Sequence, residues 1–533
     1  MKNNRNDAIR VFEEILGSNF VITGENLKPY ISNVSGTSRD VVAVLLPSST
    51  EEVRQIVISA NTFKIPLYPI SRGKNWGMGS RLPVRDGCVV VELSRMNRII
   101  EVNEKFGYAV IEAGVTQKQL YEYIRERNLP LFMDVTGSGS DSSIIGNALE
   151  RGVGYFTDRG EEISGLTVVL PDGSIVETGF GHYKNAKTTY LFKHGLGPSI
   201  DGLFIQGNFG IVTKAAINLF HKQETNITFI AKLREEKNLP VFIDRIRLLR
   251  NMDITKSIVH IGNRERARIS LTPLIFEELT RRYPEKPIEE LREMAERLFH
   301  KEFFGSWSAT GRLFGPKGLV KEAKKQLSRF LSDVAALMFI SDEKIAFLEK
   351  AGKLLSFVPS IREKSIVLAA SKTVYKFTTG IPTDDAVKSI YWPFEIPPDK
   401  PDPDNSSCGV IYYLPITPLD GEETEFMLRI VNSTLREGGF EPSVTLNTVN
   451  DRAFETVISI AFRREENEIK KAHHYIKELN KRLTENGIYP YRLGIDIMNE
   501  LIDEKDPFWV LLKKIKLSID QNLIISPGRY NLL

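Results

Sequence analysis

Cysteine is nearly missing from this 533-residue chain, which has only Cys88 and Cys408. One pair cannot make a disulfide framework, and no CxxC spacing offers a zinc site. A reducing, cytoplasmic setting is expected. An excess of charge is missing too: 71 basic against 68 acidic residues leave +3 (71 − 68). That balance predicts neither nucleic acid nor an anionic membrane as partner. No run is long and apolar enough to span a bilayer, and residues 1–12 are polar, without the apolar stretch of a signal peptide. Several motifs are absent as well. No GxGxxG follows a strand, so the dinucleotide fold built on it is unsupported, and there is no GxxxxGK[ST] phosphate loop. The seven histidines form no HExxH, and His473-His474 reads as solvated surface on a Lys-rich helix face. Gly197-Pro198-Ser199-Ile200-Asp201-Gly202 is one residue too long for a serine-hydrolase elbow and reads as a turn.

What is present describes an ordinary globular chain, 42% hydrophobic and 26% charged. Its length predicts two large domains, or one with another inserted. Residues 41–46 read as a strand. Ser49 and Glu52 then have capping-box spacing, and Val53, Ile56, Val57 and Ala60 follow at helical spacing. Thr116 and Gln119 open a second helix in the same way, with Leu120, Tyr123 and Ile124 inward. Pro171-Asp172-Gly173 joins two strands as a hairpin. Further on, residues 287–303 and 319–336 read as amphipathic helices. Residues 393–403 form a proline-rich connection, 408–414 a strand, and 466–486 a helix stopped by Gly487.

Two glycine-rich loops carry the chemistry. Ser71-Arg72-Gly73-Lys74-Asn75-Trp76-Gly77-Met78-Gly79-Ser80 sets three glycines among basic side chains. Glycine lets the backbone approach a ligand, and concave runs of N–H groups bind phosphate. A tight surface turn would leave the same pattern. Gly137-Ser138-Gly139-Ser140 precedes a helical run through Ile144, Ile145, Ala148 and Leu149, with Asp141, Ser142 and Ser143 as capping groups. Unpaired N–H groups at such a helix start suit a pyrophosphate. A capped helix running into a flexible loop is the plainer reading. Together the loops are compatible with a dinucleotide without identifying it.

The chain resembles the vanillyl-alcohol oxidase and p-cresol methylhydroxylase family of flavoproteins. The matching stretches are Pro69-Ile70-Ser71-Arg72-Gly73-Lys74-Asn75-Trp76-Gly77, Met96-Asn97-Arg98 and Glu112-Ala113-Gly114-Val115-Thr116. They continue with Gly146-Asn147-Ala148-Leu149-Glu150-Arg151-Gly152-Val153-Gly154-Tyr155, Gly197-Pro198-Ser199-Ile200-Asp201-Gly202 and Gly210-Ile211-Val212-Thr213-Lys214. The likeness is weak through the middle and returns around Cys408, at Tyr491-Arg492 and at Ile525-Ser526-Pro527-Gly528-Arg529. It implies an α+β fold: a two-subdomain FAD-binding domain of the p-cresol methylhydroxylase type, plus a cap domain with an antiparallel sheet flanked by helices. The implied division is an N-terminal helical segment (1–37), the FAD-binding domain (38–222), the cap (223–488) and a C-terminal segment (489–533) returning to the FAD domain. The resemblance places Arg72, Gly73, Lys74, Asn75, Trp76, Gly77, Met78 and Gly79 around the FAD pyrophosphate, with Pro69 and Ser71 also expected to bind the cofactor. Thr136, Gly137, Ser138, Gly139, Ser143, Gly146, Asn147, Gly152, Gly154 and Tyr155 would line the rest of the FAD site. Gly210, Ile211 and Val212 would lie toward the adenine, and Arg529 would close over the cofactor.

Substrate chemistry is where this sequence departs from the family. In phenol-oxidising members two tyrosines and an arginine hold the substrate as phenolate, so that hydride can leave a para carbon for flavin N5. Tyr491 and Arg492 match one tyrosine and the arginine, and are the expected catalytic pair. The second tyrosine position holds Met78. The base aspartate falls on Gly137, while Asp134 matches a different aspartate of the motif. The flavin-tethering histidine falls on Val410, whose strand face Cys408 and Tyr412 share, and non-covalent FAD is expected. Without the resemblance, Tyr491-Arg492 would read as a surface pair at a helix end and Arg529 as a solvated tail residue. The expected function is an FAD-dependent oxidase or dehydrogenase acting on a small aromatic or phenolic substrate. One alternative is oxidation of a 2-hydroxy acid clamped by Arg492, and another is an FAD-binding scaffold in a complex. A protein electron acceptor and a homo-oligomer are the expected macromolecular partners.

Overall fold

Short apolar, β-branched runs build the first sheet of the computed structural model, which describes residues 2–303, 305–354, 359–531 and 533. Strands Val41–Leu45, Leu67–Ile70 and Cys88–Glu92 pair in parallel, with helix Thr50–Phe63 crossing between the first two. Ser49 caps that helix by accepting from the Glu52 N–H at 3.1 Å. The Glu52 carboxylate does not close the box on Ser49. It reaches one residue further and accepts from the Ser48 N–H at 2.6 Å. On helix Gln117–Glu126 the box of Thr116 and Gln119 is complete. A five-stranded antiparallel sheet follows, in the order Ile99–Asn103, Tyr108–Glu112, Ile211–Asn218, Ile163–Val169, Ile175–Glu177. Its last two strands are the hairpin predicted at Pro171-Asp172-Gly173. Both sheets share one core, which joins Val53, Ile56 and Val57 to Ile111, Leu166 and Ala215.

The cap is an eight-stranded sheet, antiparallel throughout. Its central strand Ala453–Arg463 shows how one sequence serves two faces. Phe454, Ile458, Ile460 and Phe462 are buried against helices Leu239–Asn251, Gly421–Glu437 and Glu466–Glu485. Glu455, Val457 and Ser459 take the opposite face, toward the FAD-binding domain. The helix expected over 319–336 ends at Leu331. Residues Ala335–Ile340 instead add an edge strand to Thr225–Leu233. His473 is not simply solvated, because its Nε2 lies 2.9 Å from the Ser35 carbonyl. Cys88 and Cys408 are buried thiols.

The C-terminal segment returns to the first sheet. Leu67 N–H donates to the Ile524 carbonyl at 2.6 Å, and Ser526 N–H donates to the Leu67 carbonyl at 2.8 Å. The buried Lys516 ammonium fixes this return. It donates to Asp520 at 2.7 Å and to the Asn208 and Ile525 carbonyls. Each polar group in that knot is satisfied, as burial demands. The architecture is an α+β fold of FAD-binding domain plus cap. Among the described residues no helix is long and apolar enough to cross a membrane.

Candidate active site

A cavity of about 390 Å³ lies between the polar face of the cap sheet and the two glycine-rich loops. Of the residues expected around FAD, the first loop contributes Pro69, Ser71, Arg72, Gly73, Lys74, Asn75, Trp76 and Met78. Thr136, Gly137, Ser138, Ser143, Gly146, Asn147 and Gly152 line the cavity as well, with Gly210, Ile211, Val212 and Arg529. Tyr491 and Arg492 face the same space.

Five expected residues, Gly77, Gly79, Gly139, Gly154 and Tyr155, are not among those lining the cavity. Packing explains the glycines. Gly77 has φ +70°, and a Cβ there would stand 2.5 Å from the Tyr412 ring. At Gly154 a Cβ would meet the Asp134 carboxylate at 1.9 Å. Tyr155 turns its ring to His260 (centroids 4.3 Å apart) and stacks on Phe377. Asp134 accepts from the N–H groups of Tyr155, Phe156 and Thr157 at 2.7, 3.1 and 3.2 Å. It shapes that loop from behind.

The lining fits a phosphate-bearing dinucleotide. Trp76 Nε1 and Asn147 Oδ1 are buried without a protein partner. Such groups cost free energy unless a ligand atom meets them. At Gly146 even a methyl group would crowd Ser71 Oγ at 2.7 Å, so the backbone itself forms the wall there. Arg72 and Lys74 stand beside it as cations.

Tyr491 and Arg492 sit on strand Pro490–Arg492, which pairs with Cys408–Pro418 at the edge of the cap sheet. The surface-pair reading is therefore overturned for both. Arg492 lies 3.4 Å through Nε from Glu150 and donates through Nη2 to Asn75 Oδ1. Arg529 is no solvated tail residue. It pairs with the other Glu150 oxygen and donates to the Tyr68 hydroxyl and the Gly207 carbonyl, each at 3.3 Å. One carboxylate thus bridges an arginine of the cap edge and an arginine of the C-terminal return.

Sequence reasoning missed Glu455. Its signal was a carboxylate near the start of a mainly apolar strand, Ala453–Arg463. The Tyr491 hydroxyl donates to Glu455, and Asn447 Nδ2 lies 3.5 Å from it. Burial raises the Glu455 carboxyl to about 7. Burial, and then the Glu455 charge, raise the Tyr491 phenol well above its ordinary range. His260, Asn447 and Glu455 stand directly opposite one another on three adjacent strands. The His260 Nδ1 is 2.7 Å from Asn447 Oδ1, and burial lowers the imidazole to about 4.

Fold and cavity define an FAD-dependent oxidoreductase, and comparison with known proteins agrees. Residues 41–179 match an FAD binding domain. The chain is 31% identical over 98% of its length to the 1'-carboxy-chondrochloren decarboxylase of Chondromyces crocatus, covering 97% of that protein. It is 27% identical to the 4-cresol dehydrogenase [hydroxylating] flavoprotein subunit of Pseudomonas putida, over 98% of this chain and 95% of that one. Its structure is similar to that of the 4-ethylphenol oxidase from Gulosibacter chungangensis in its isoeugenol complex. The TM-score is 0.84 at 24% identity, over 100% of this chain and 98% of that one. The chain belongs to the vanillyl-alcohol oxidase and p-cresol methylhydroxylase family of flavoproteins.

Proposed function

We propose that this enzyme oxidises a small aromatic substrate bearing a para hydroxyl, with Tyr491 and Arg492 as the catalytic pair. The observation that carries the reading is the Tyr491–Glu455 hydrogen bond beside Arg492, facing the cavity. When bound, FAD supplies the hydride acceptor, flavin N5. Arg492 pairs with the phenolate oxygen by charge-assisted hydrogen bonds. Tyr491 donates a further hydrogen bond to that oxygen, and Glu455 receives the phenol proton through the Tyr491 hydroxyl. A carboxyl held near neutrality suits such a role, since it can take a proton and release it at the same pH. The cap sheet keeps water from the reacting atoms.

Relatives named for cresol and ethylphenol support an aromatic substrate. The 2-hydroxy-acid alternative is less well served, because no histidine is among the residues lining the cavity to take a hydroxyl proton. The assignment of the lining residues to FAD, with Gly77, Gly79, Gly139, Gly154 and Tyr155 as their support, belongs to this proposal. So do the domain limits 1–37, 38–222, 223–488 and 489–533, the cytoplasmic setting, the homo-oligomer and a protein electron acceptor. Non-covalent FAD also belongs to it: neither cysteine nor histidine lines the cavity, although Tyr412 does. Acid precipitation should leave a colourless pellet. A yellow pellet that loses its colour in Tyr412→Phe would show a tether instead.

The test is anaerobic mixing of the yellow protein with 4-alkylphenols, benzylic alcohols and 2-hydroxy acids. Bleaching of the flavin by the para-hydroxylated compounds is expected, and bleaching by hydroxy acids alone would overturn the proposal. Re-oxidation by air, or only by an added acceptor, then separates oxidase from dehydrogenase.

A further inference from the structure

Five cations and two carboxylates line the cavity: Arg72, Lys74, Arg266, Arg492 and Arg529, with Glu150 and Glu455. Four of the cations are accounted for by the reading above. Arg72 and Lys74 stand in the loop assigned to the pyrophosphate. Arg492 and Arg529 share Glu150.

Arg266 is different. It is the third residue of helix Arg264–Arg282, just after strand His260–Asn263, and so belongs to the cap. Its guanidinium reaches Ser389 Oγ at 3.3 Å. Among the described residues no carboxylate stands within 4.0 Å of it. Burial dominates the proton affinity of Tyr155, His260 and Tyr412, raising the two phenols and lowering the imidazole, and the Arg266 charge acts on all three in the lowering direction. Hydroxyls of Ser389, Ser443 and Thr445 line the cavity with it. A partly buried guanidinium without a counter-ion, facing a cavity, is a site for an anion.

The strand register fixes the row of polar residues that runs across the cap face of the cavity. Arg266 opens the helix that follows the strand carrying His260, and Tyr491 donates to Glu455. His260, Asn447 and Glu455 are direct neighbours across three strands. Two inter-strand steps of about 4.8 Å separate the ends of that row by about 10 Å. We propose that Arg266 is a specificity-determining residue that binds a substrate carboxylate. The substrate class is then a 4-hydroxyaryl carboxylic acid. The cavity reads such a molecule at both ends, phenol at Tyr491-Arg492 and acid at Arg266.

This inference rests on the phenol reading for one end only, so the experiment separates the two. The FAD-loaded protein is titrated with 3-phenylpropanoate and with its N-methyl amide, neither of which carries the para hydroxyl. Binding is read from the perturbed flavin spectrum. In parallel, anaerobic bleaching is followed with 3-(4-hydroxyphenyl)propanoate, its methyl ester and 4-propylphenol. The acid is expected to bind about 10- to 100-fold more tightly than the amide, the range of a hydrogen-bonded charge. Arg266→Gln should erase that preference, and Arg266→Lys should keep part of it. Equal binding of acid and amide to the wild type would overturn the inference. So would a preference that survives in Arg266→Gln, or loss of FAD from both variants, since Arg266 would then serve the cofactor. An acid preference without bleaching by any phenol would sink the phenol reading and leave the carboxylate site standing.

Discussion

The Tyr491 hydroxyl donates to the carboxyl of Glu455, 36 residues earlier in the chain and on the next strand but one of the cap sheet. Glu455 is buried and Tyr491 partly so, and each changes the proton affinity of the other. Glu455 takes its value of about 7 against an ordinary 4.5, with burial as the main cause. Between those values the folded chain keeps a proton that the unfolded chain has released. Stability from this group is therefore fully present below pH 4.5 and lost as pH rises to 7, by about 3 kcal/mol. Glu455→Gln should remove that slope. Denaturant unfolding of both proteins from pH 4.5 to 7.5 checks it, and identical pH dependence would refute the assignment. The rate of flavin reduction should likewise rise through pH 7 in the wild type and stay flat in the variant.

Glu150 holds Arg492 and Arg529 at once, so replacing it strands two buried cations. Glu150→Gln should destabilise the protein by about 3 kcal/mol, the cost of breaking a buried pair from one side. The yellow colour retained through gel filtration should fall with it. Full FAD content and an unchanged melting curve would show that the two arginines do not depend on Glu150.

Gly154→Ala should act at a distance from the cavity. The new methyl group meets the Asp134 carboxylate, which must then release the N–H groups of Tyr155, Phe156 and Thr157. A cost of about 3 kcal/mol is expected, at the upper end for overpacking. The melting temperature reads it directly, and a neutral outcome would mean that the loop has room to move.

Met78 lines the cavity at the position where the family resemblance implies a second tyrosine. Met78→Tyr returns a hydroxyl to the phenol end. Dissociation constants for 4-alkylphenols, measured by flavin perturbation, should fall about tenfold, the value of one added hydrogen bond to a charged oxygen. Weaker binding would place the phenol elsewhere.

Much of the loop side of the cavity was legible in the amino-acid order. The residues of a glycine loop are consecutive, and a helix cap acts over three positions. Thr116 with Gln119, Ser143 at the start of Ile144–Leu149, and the loop from Ser71 to Ser80 are all local features whose geometry follows from spacing. Alternation likewise assigned Cys408, Val410 and Tyr412 to one strand face. The sequence by itself therefore determined these helix caps and glycine-rich loops, and the family resemblance implied the class of fold. Tertiary structure decided the rest. Which glycines face the cavity, and which yield to Tyr412 or Asp134 behind it, depends on contacts made by chain hundreds of positions away or folded back from another element. The substrate end depends on strand order: His260, Asn447, Glu455 and Tyr491 come together only when five strands align, Cys408–Pro418 lying between the last two. Their charge states then follow from burial, because the free energy of an ionised group is set by its surroundings, and those exist only once the chain has folded.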